Sequence, residues 1–160
     1  MATLCLVEGC VSPGAPTTSG ELPPSLLNQI EYRFVGDRGE TNAEGWTLLW
    51  VADLEGDLSG QARWYFLEPN PIPDLTVQGA SIAYYEARWE VRVSDRVILA
   101  GRSSGKTVTR EGEDGIWDGH GVVTSASASY QEYLGRHTYE TGPVVLGDDL
   151  PWGRGLFTIH

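Results

Sequence analysis

The segment from Ala80 to Val93 alternates between apolar and polar residues, and this constrains the fold more than any other part of the sequence. Every odd-numbered residue from Ala83 to Val93 is apolar, whereas the even positions from Glu86 to Arg92 are charged. Because successive side chains of a strand point to opposite faces, the pattern predicts a long strand with one buried and one solvated face.

Shorter runs of the same type recur along the chain and are separated by glycine. They cover residues 30–35, 45–52, 61–67, 96–100, 106–110, 116–126, 136–145 and 153–160. The run 45–52 is apolar on both faces, which predicts a strand packed on two sides. Residues 127–135 place Tyr130, Tyr133 and Leu134 at helical offsets and predict one or two helical turns. Because the connections are short, we expect an all-β chain that forms a single antiparallel β-barrel of about eight strands with one short helical excursion.

The length of 160 residues suits one domain with a substantial core. Six Trp, seven Tyr and three Phe supply large apolar surfaces, so the core needs no disulfide or metal. We expect a flexible arm rich in Pro and Gly at residues 1–27, with one short strand at 4–7, followed by the barrel domain at 28–160. The proline-rich segment 68–74 cannot be a central strand, because proline lacks the N–H that a ladder requires. It is predicted to be a loop over one mouth of the barrel.

The charge and the sulfur content restrict the partners and the compartment. A net charge of −11 and a pI near 4.5 argue against nucleic acid and anionic membrane surfaces as partners. The N-terminus has no basic, continuously apolar leader, and no run approaches the ~20 apolar residues of a membrane span, so a cytoplasmic location is predicted. Cys5 and Cys10 then favour two free thiols, although a disulfide between them is the alternative.

Two glycine-containing segments resemble nucleotide-binding motifs but lack their spacing. Residues 101–107 have three residues between the glycines where a phosphate-binding loop has four, and they are predicted to form a hairpin turn. Gly119 and Gly121 lack the third glycine of a dinucleotide site, and they are instead expected to allow a bend or a close backbone approach. The three histidines and two cysteines give no metal-ligand spacing, so we expect neither a cofactor nor a metal.

Asp118 and His120 are the leading candidates for acid–base chemistry. Residues two apart on a strand share a face with Cα atoms ~6.5–7 Å apart, so the carboxylate could orient the imidazole as a general base. Tyr139 is the candidate hydrogen-bond donor. Glu140 is a second possible proton donor or acceptor if it is buried, but neither face of its strand is plainly apolar, and a solvated position is the favoured interpretation.

Five aromatic residues are candidates for a ligand-binding interior. They are separated by small residues, such as Ala62, Ala83 and Ala87, that would leave space beside the rings. An eight-stranded barrel has an interior that is either filled by side chains or able to hold one small ligand. The candidates are Trp50, Trp64, Phe66, Tyr85 and Trp89.

The order of elements in the C-terminal third resembles that of the allene-oxide-cyclase-like barrels, which include the dirigent proteins and bacterial spirotetronate-type polyketide cyclases. The resemblance rests on the segment Gly-Ile-Trp-Asp-Gly-His-Gly-Val-Val at 115–123, on Tyr130, Tyr133 and Gly135, and on Thr-Gly-Pro-Val-Val at 141–145. Lipocalin-like barrels share much of this pattern. The resemblance implies a barrel with a ligand-holding interior and chemistry without a cofactor, and it transfers no catalytic residue to this chain.

The first functional hypothesis is therefore a cofactor-independent cyclase, isomerase or lyase that acts on a hydrophobic, ring-containing small molecule inside the barrel. The second is a carrier or sensor that binds an apolar ligand without changing it. The third is a filled barrel used for protein contacts, which would have no cavity and a large exposed apolar patch. A homodimer is expected because the aromatic residues exceed what one small barrel requires.

Overall fold

The computed structural model describes residues 22–36, 39–68, 70, 74–147 and 150–160. The predicted strand at 4–7, both cysteines and four residues of the predicted mouth loop lie outside these ranges. The described chain has one 3₁₀ turn, Ala128–Tyr133, which confirms the predicted helical excursion, and nine strands. The strands are β1 (Leu26–Phe34), β2 (Thr47–Gly56), β3 (Gly60–Phe66), β4 (Leu75–Val77), β5 (Ala80–Val93), β6 (Arg96–Arg110), β7 (Gly115–Ala126), β8 (His137–Val144) and β9 (Trp152–Ile159).

Eight of these strands form a closed antiparallel barrel, as predicted. Their order around the barrel is β3-β2-β1-β9-β8-β7-β6-β5, and pairing between β5 and β3 closes the ring. The ninth strand, β4, lies outside this ring and pairs with the beginning of β5. The described residues contain no helix with the length and hydropathy of a membrane span.

Strand β5 has the bounds and the inward face that its alternation predicts. Tyr85, Ala87, Trp89 and Val91 are buried, and the charged residues between them face outward. One edge of β5 pairs with β6 along nearly its whole length. The opposite edge pairs with β4 at Ala80–Ile82 and with β3 only at 87–92.

The hairpin turn predicted at residues 101–107 is wrong, because this segment lies in the middle of the continuous strand β6. Its glycines are not turn residues. They face the interior, and a Cβ built on Gly101 would lie 2.3 Å from the ring of Trp89. Glycine is therefore required at this position because an aromatic ring packs against the strand. In the sequence, such a glycine looks the same as a glycine in a turn.

The barrel wall is divided into an aromatic side and a glycine side. Strands β1, β2, β3 and β5 send most of the large rings inward, and β6 to β9 meet them mainly with glycines, to which β7 and β9 add the rings of Trp117 and Phe157. Tyr32 packs against Gly142 and Gly153, because a Cβ on either glycine would lie within 2.6 Å of its hydroxyl oxygen. A Cβ on Gly121 would lie 2.6 Å from the Thr138 hydroxyl, and one on Gly119 would lie 2.0 Å from the Tyr85 hydroxyl. Gly119 and Gly121, which were expected to allow a bend or a close backbone approach, thus make room for side chains of the neighbouring strands.

One end of the barrel is solid. Leu58, Leu99, Tyr133 and Ile159 are buried there in the main core, next to the 3₁₀ turn. Asn28 is also buried, and its side-chain oxygen accepts a hydrogen bond of 2.7 Å from the backbone N–H of Leu58. The interior can therefore be open only toward the opposite end, where β1 ends and β2 begins.

A second, smaller apolar cluster covers the outside of β2. It consists of Leu48, Val51 and Tyr65, with Val35 and Trp46 packed against it. This cluster explains why β2 is apolar on both faces, as the sequence indicates. The barrel itself begins at Leu26, two residues before the predicted start of the domain.

Candidate aromatic cavity and buried carboxyl

A cavity of about 190 Å³ occupies the open end of the barrel. Its walls are mainly aromatic, and Glu68 and Asn70, from the segment predicted to cover a mouth, also line it. The Asn70 side-chain amide donates a hydrogen bond to the backbone carbonyl of Tyr84, another lining residue. The remaining lining residues are Tyr32, Trp50, Trp64, Phe66, Ala83, Tyr85, Thr107, Trp117 and Val144.

Four of the five predicted ligand-binding residues line this cavity, namely Trp50, Trp64, Phe66 and Tyr85. The fifth, Trp89, is buried deeper, with its ring centroid 5.2 Å from that of Phe157. All five face the interior, as expected. Their contact with a ligand stays a prediction.

The sequence interpretation missed three aromatic residues of the cavity, Tyr32, Tyr84 and Trp117. The Trp117 ring meets both Tyr32 and Trp64 edge to face, with centroids 5.0 and 5.5 Å apart. The signal was present in β7, because Trp117 shares its face with Gly119 and Gly121, the side that receives rings from across the barrel. Such edge-to-face pairs hold the cavity wall in one arrangement.

Glu140 is fully buried at the centre of the barrel, so its predicted solvated position is wrong. Its Oε2 accepts a hydrogen bond of 2.7 Å from Trp64 Nε1, and its Oε1 accepts one of 2.9 Å from the Tyr85 hydroxyl. The face of β8 that carries Thr138 and Glu140 points inward because the glycines of β7 leave space there for polar side chains. The sequence of β8 alone does not indicate this, since both donors come from distant strands.

Burial raises the pKa of the Glu140 carboxyl above its ordinary value, because the charged form loses its hydration. Hydrogen bonds from Trp64 and Tyr85 and the neighbouring Ser103 hydroxyl act in the opposite direction but do not cancel the effect of burial. In the described part of the chain, no Lys, Arg or His forms an ion pair with Glu140. The carboxyl is therefore held in place by neutral donors.

Tyr85 connects the buried carboxyl to the cavity that it lines. Its hydroxyl donates to Glu140 and accepts a hydrogen bond from Trp117 Nε1. Burial, followed by the nearby Glu140 charge, raises the pKa of Tyr85 well above its ordinary value. The phenol therefore stays protonated and can act only by passing a proton along this chain of hydrogen bonds.

The three predicted catalytic residues meet on the outer face of the barrel. His120 Nε2 lies 3.8 Å from Asp118 Oδ1, and the side chains of His120 and Asp118 are 76% and 40% exposed. Tyr139 lies directly across from His120 in the ladder, with ring centroids 4.9 Å apart. The expected proximity of Asp118 and His120 is therefore present, but the sheet separates these residues from the cavity. Their catalytic role stays a prediction.

Within the residues that the structure describes, no three His, Cys, Asp or Glu side chains are grouped so that they could hold a metal ion. The polar groups at and next to the cavity are hydroxyl, carboxyl, amide and indole groups. Comparisons with family models, curated proteins and solved structures give no significant match to this chain.

Proposed function

We propose that this protein is a cofactor-independent isomerase, cyclase or lyase that acts on a hydrophobic, ring-containing small molecule in the aromatic cavity. Tyr85 and Glu140 would form the acid–base pair. The observation that carries the proposal is the hydrogen bond between a fully buried carboxyl and the hydroxyl of Tyr85, a residue that lines the cavity. Isolated buried carboxyls destabilise a fold, and carboxyls with perturbed pKa values beside clefts are frequent at functional sites.

The shape and lining of the cavity favour a compact apolar substrate. Its walls are mostly aromatic rings that are held by edge-to-face contacts, so a flat ring can be enclosed between them. Enclosure restricts the substrate to one conformer, which lowers the entropic part of the barrier to ring closure or rearrangement. The volume of about 190 Å³ suits one small molecule rather than a chain or a peptide.

The proposed proton path begins at an acidic C–H or O–H of the substrate. This proton moves to the oxygen of Tyr85 while the hydrogen of Tyr85 moves to Oε1 of Glu140. The substrate then carries the negative charge, and Glu140 is neutral. Reversal of the path returns the proton to a different atom of the substrate and restores the carboxylate. General acid–base steps of this type contribute about 10²–10⁴-fold to a rate.

A second candidate, a carrier or sensor of an apolar ligand, is favoured by one observation. Glu140 does not itself line the cavity, whose only carboxylate is that of Glu68 at the mouth among the described lining residues. In this case Tyr85 and Glu140 would orient a ligand that leaves unchanged. The two candidates share the cavity and differ only in whether a proton moves.

Proton exchange into a bound probe distinguishes the two candidates. We choose 1-indanone, a bicyclic ketone with exchangeable hydrogens next to its carbonyl, and follow its uptake of deuterium from D₂O by mass spectrometry. Faster exchange with the wild type than with Glu140→Gln supports the enzyme. Binding without accelerated exchange supports the carrier. Binding is measured by quenching of tryptophan fluorescence. If no small ring compound binds, both candidates are refuted.

Several further proposals rest on the sequence alone. They are a homodimeric state, a cytoplasmic location, and kinship with the allene-oxide-cyclase-like barrels. Size-exclusion chromatography with light scattering tests the first of these directly.

A further inference from the structure

We infer that Glu140 sets the hydrogen-bonding polarity that Tyr85 presents to the cavity, so that the preferred ligand changes from a hydrogen-bond donor to an acceptor when Glu140 gains a proton. The inference rests on the proposed function, because it concerns a ligand in the same cavity. It adds the chemical class of the ligand's polar group and a means of regulating it.

Two indole groups fix the direction of two hydrogen bonds in this network. An indole N–H can only donate. Trp64 donates to Oε2 of Glu140, and Trp117 donates to the oxygen of Tyr85. One acceptor position on each of these groups is therefore always occupied. The remaining freedom lies in the contact between Tyr85 and Oε1 of Glu140.

When Glu140 is ionised, the carboxylate can only accept hydrogen bonds. The hydrogen of Tyr85 must then point to Oε1, over the observed distance of 2.9 Å. The Tyr85 oxygen keeps one lone pair beyond the bond from Trp117. A ligand can satisfy that lone pair only by donating an N–H or O–H.

When Glu140 is protonated, Trp64 decides which oxygen carries the proton. Oε2 accepts from the indole N–H, and the carbonyl oxygen of a carboxylic acid is a better acceptor than its hydroxyl oxygen, so the proton is favoured on Oε1. Oε1 then donates to Tyr85, whose second lone pair is now used. The hydrogen of Tyr85 is released and can be donated to a ligand carbonyl or ether.

The residues around Glu140 indicate that the change in hydrogen-bond direction depends on protonation of Glu140 rather than of another group. The side chains that contact it or lie beside it are Trp64 on β3, Tyr85 on β5, Ser103 on β6, Gly119 on β7 and, paired across the ladder, Phe157 on β9. Of these only Tyr85 is titratable. Two ionisable groups act through the sheet from the outer face of β7, His120 on Glu140 and Asp118 on Tyr85.

Three bicyclic probes of nearly equal shape separate the two states. Indole has an N–H donor, 1-indanone has a carbonyl acceptor, and indene has neither. We measure their dissociation constants for the wild-type protein from pH 5 to pH 9. A gained or lost hydrogen bond changes affinity by about tenfold. Relative to indene, 1-indanone should therefore bind better at the acidic end and indole at the alkaline end, each by about tenfold.

Glu140→Gln gives a sharper test, because glutamine has one acceptor oxygen and one amide donor. Trp64 can only donate, so it takes the oxygen, and the amide must donate to Tyr85. Tyr85 is then forced to donate toward the cavity at every pH. The variant should prefer 1-indanone over indole by about tenfold without any dependence on pH.

A matched control comes from a tyrosine–glutamate pair on the outside of the barrel. The Tyr65 hydroxyl donates to Glu90 Oε1 at 2.5 Å, and neither residue lines the cavity. Glu90→Gln should leave the reversal of preference intact. Infrared difference spectra provide an independent readout, since the band of a buried carboxylic acid that grows on acidification should be lost in Glu140→Gln and retained in Glu90→Gln.

The outcomes separate this inference from the proposed function. Binding of all three probes with no reversal of preference, or a reversal that persists in Glu140→Gln, overturns the inference while the cavity remains a binding site. Failure of every probe to bind overturns both. A reversal that is lost in Glu140→Gln and retained in Glu90→Gln supports both.

Discussion

Gly105 and Gly119 lie directly opposite each other on β6 and β7, and together they leave the space that the Tyr85 hydroxyl occupies. A Cβ on Gly105 would lie 2.6 Å from that hydroxyl oxygen, and one on Gly119 would lie 2.0 Å from it. The position of the proposed acid–base pair therefore depends on two missing side chains.

Gly119→Ala should destabilise the protein and disrupt the pair. The added methyl would also lie 2.7 Å from Glu140 Oε1, so Tyr85 and Glu140 must separate. Overpacking of this type costs about 1–3 kcal/mol of the free energy of unfolding, measured by urea denaturation. Gly147→Ala is the control, because nothing lies within 4 Å of its built Cβ. Equal urea midpoints for the two variants would contradict the packing described above.

Glu140→Gln should change how stability depends on pH. The folded state holds the Glu140 proton more tightly than the unfolded state, because burial raises the pKa of the carboxyl. The corresponding contribution to stability is present below the unfolded pKa and is lost as pH rises through the folded pKa. The free energy of unfolding of the wild type should therefore fall relative to that of Glu140→Gln as pH increases over this range. A difference between the two proteins that is constant with pH would show that Glu140 does not titrate in this way.

Trp64→Phe and Trp89→Phe should have different effects on the same pH dependence. Trp64 Nε1 donates to Glu140, whereas Trp89 Nε1 has no hydrogen-bond partner among the described residues. Both changes remove core volume and should destabilise the barrel. Only Trp64→Phe also removes a bond that lowers the Glu140 pKa, so it should extend the fall in stability to higher pH. Identical pH profiles for the two variants would remove Trp64 from the network.

Ala83→Phe should close the cavity while preserving the fold. Ala83 lines the cavity on β5, so a phenyl ring there would occupy the space that we assign to the ligand. The affinity for indene, measured by quenching of tryptophan fluorescence, should fall at least about tenfold. The reason is that the ligand loses most of its buried contact area. Ser104→Phe places the same ring on the exposed outer face of β6 and should leave binding unchanged. Equal affinities in all three proteins would place the ligand elsewhere.

His120→Ala compares the two possible acid–base assignments. If the Asp118–His120 pair acts as the sequence suggests, the loss of a general base should lower turnover about a hundredfold. If Tyr85 and Glu140 act instead, Glu140→Gln should cause that loss, and His120→Ala should have an effect of less than about threefold. The measurement is the rate of deuterium uptake by 1-indanone with each variant, with folding verified by circular dichroism.

The sequence was sufficient to predict the barrel because the relevant signals are local. Alternation in β5 and the helical offsets before Gly135 depend on neighbouring residues, and both predictions are confirmed. The hairpin turn at 101–107 failed because a glycine that accommodates a ring from another strand looks the same as one in a turn. That distinction requires knowledge of which aromatic residue lies opposite.

The centre of the site could not be predicted for a related reason. Glu140 is buried because Trp64 and Tyr85, 76 and 55 residues away in sequence, bring donors to it. No pattern within β8 contains that information, and its two faces appear equally polar. The pairing register with distant strands determines which face of β8 points into the barrel.

The divided pairing of β5 determines how one edge of the cavity wall is held together. Between its contacts with β4 and β3, residues 83–86 have no strand partner on that edge among the described residues. Ala83, Tyr84 and Tyr85 belong to this stretch and also line the cavity. At this stretch the Asn70 side-chain amide donates to the Tyr84 carbonyl, so a side-chain hydrogen bond rather than a strand ladder holds this edge of the cavity wall.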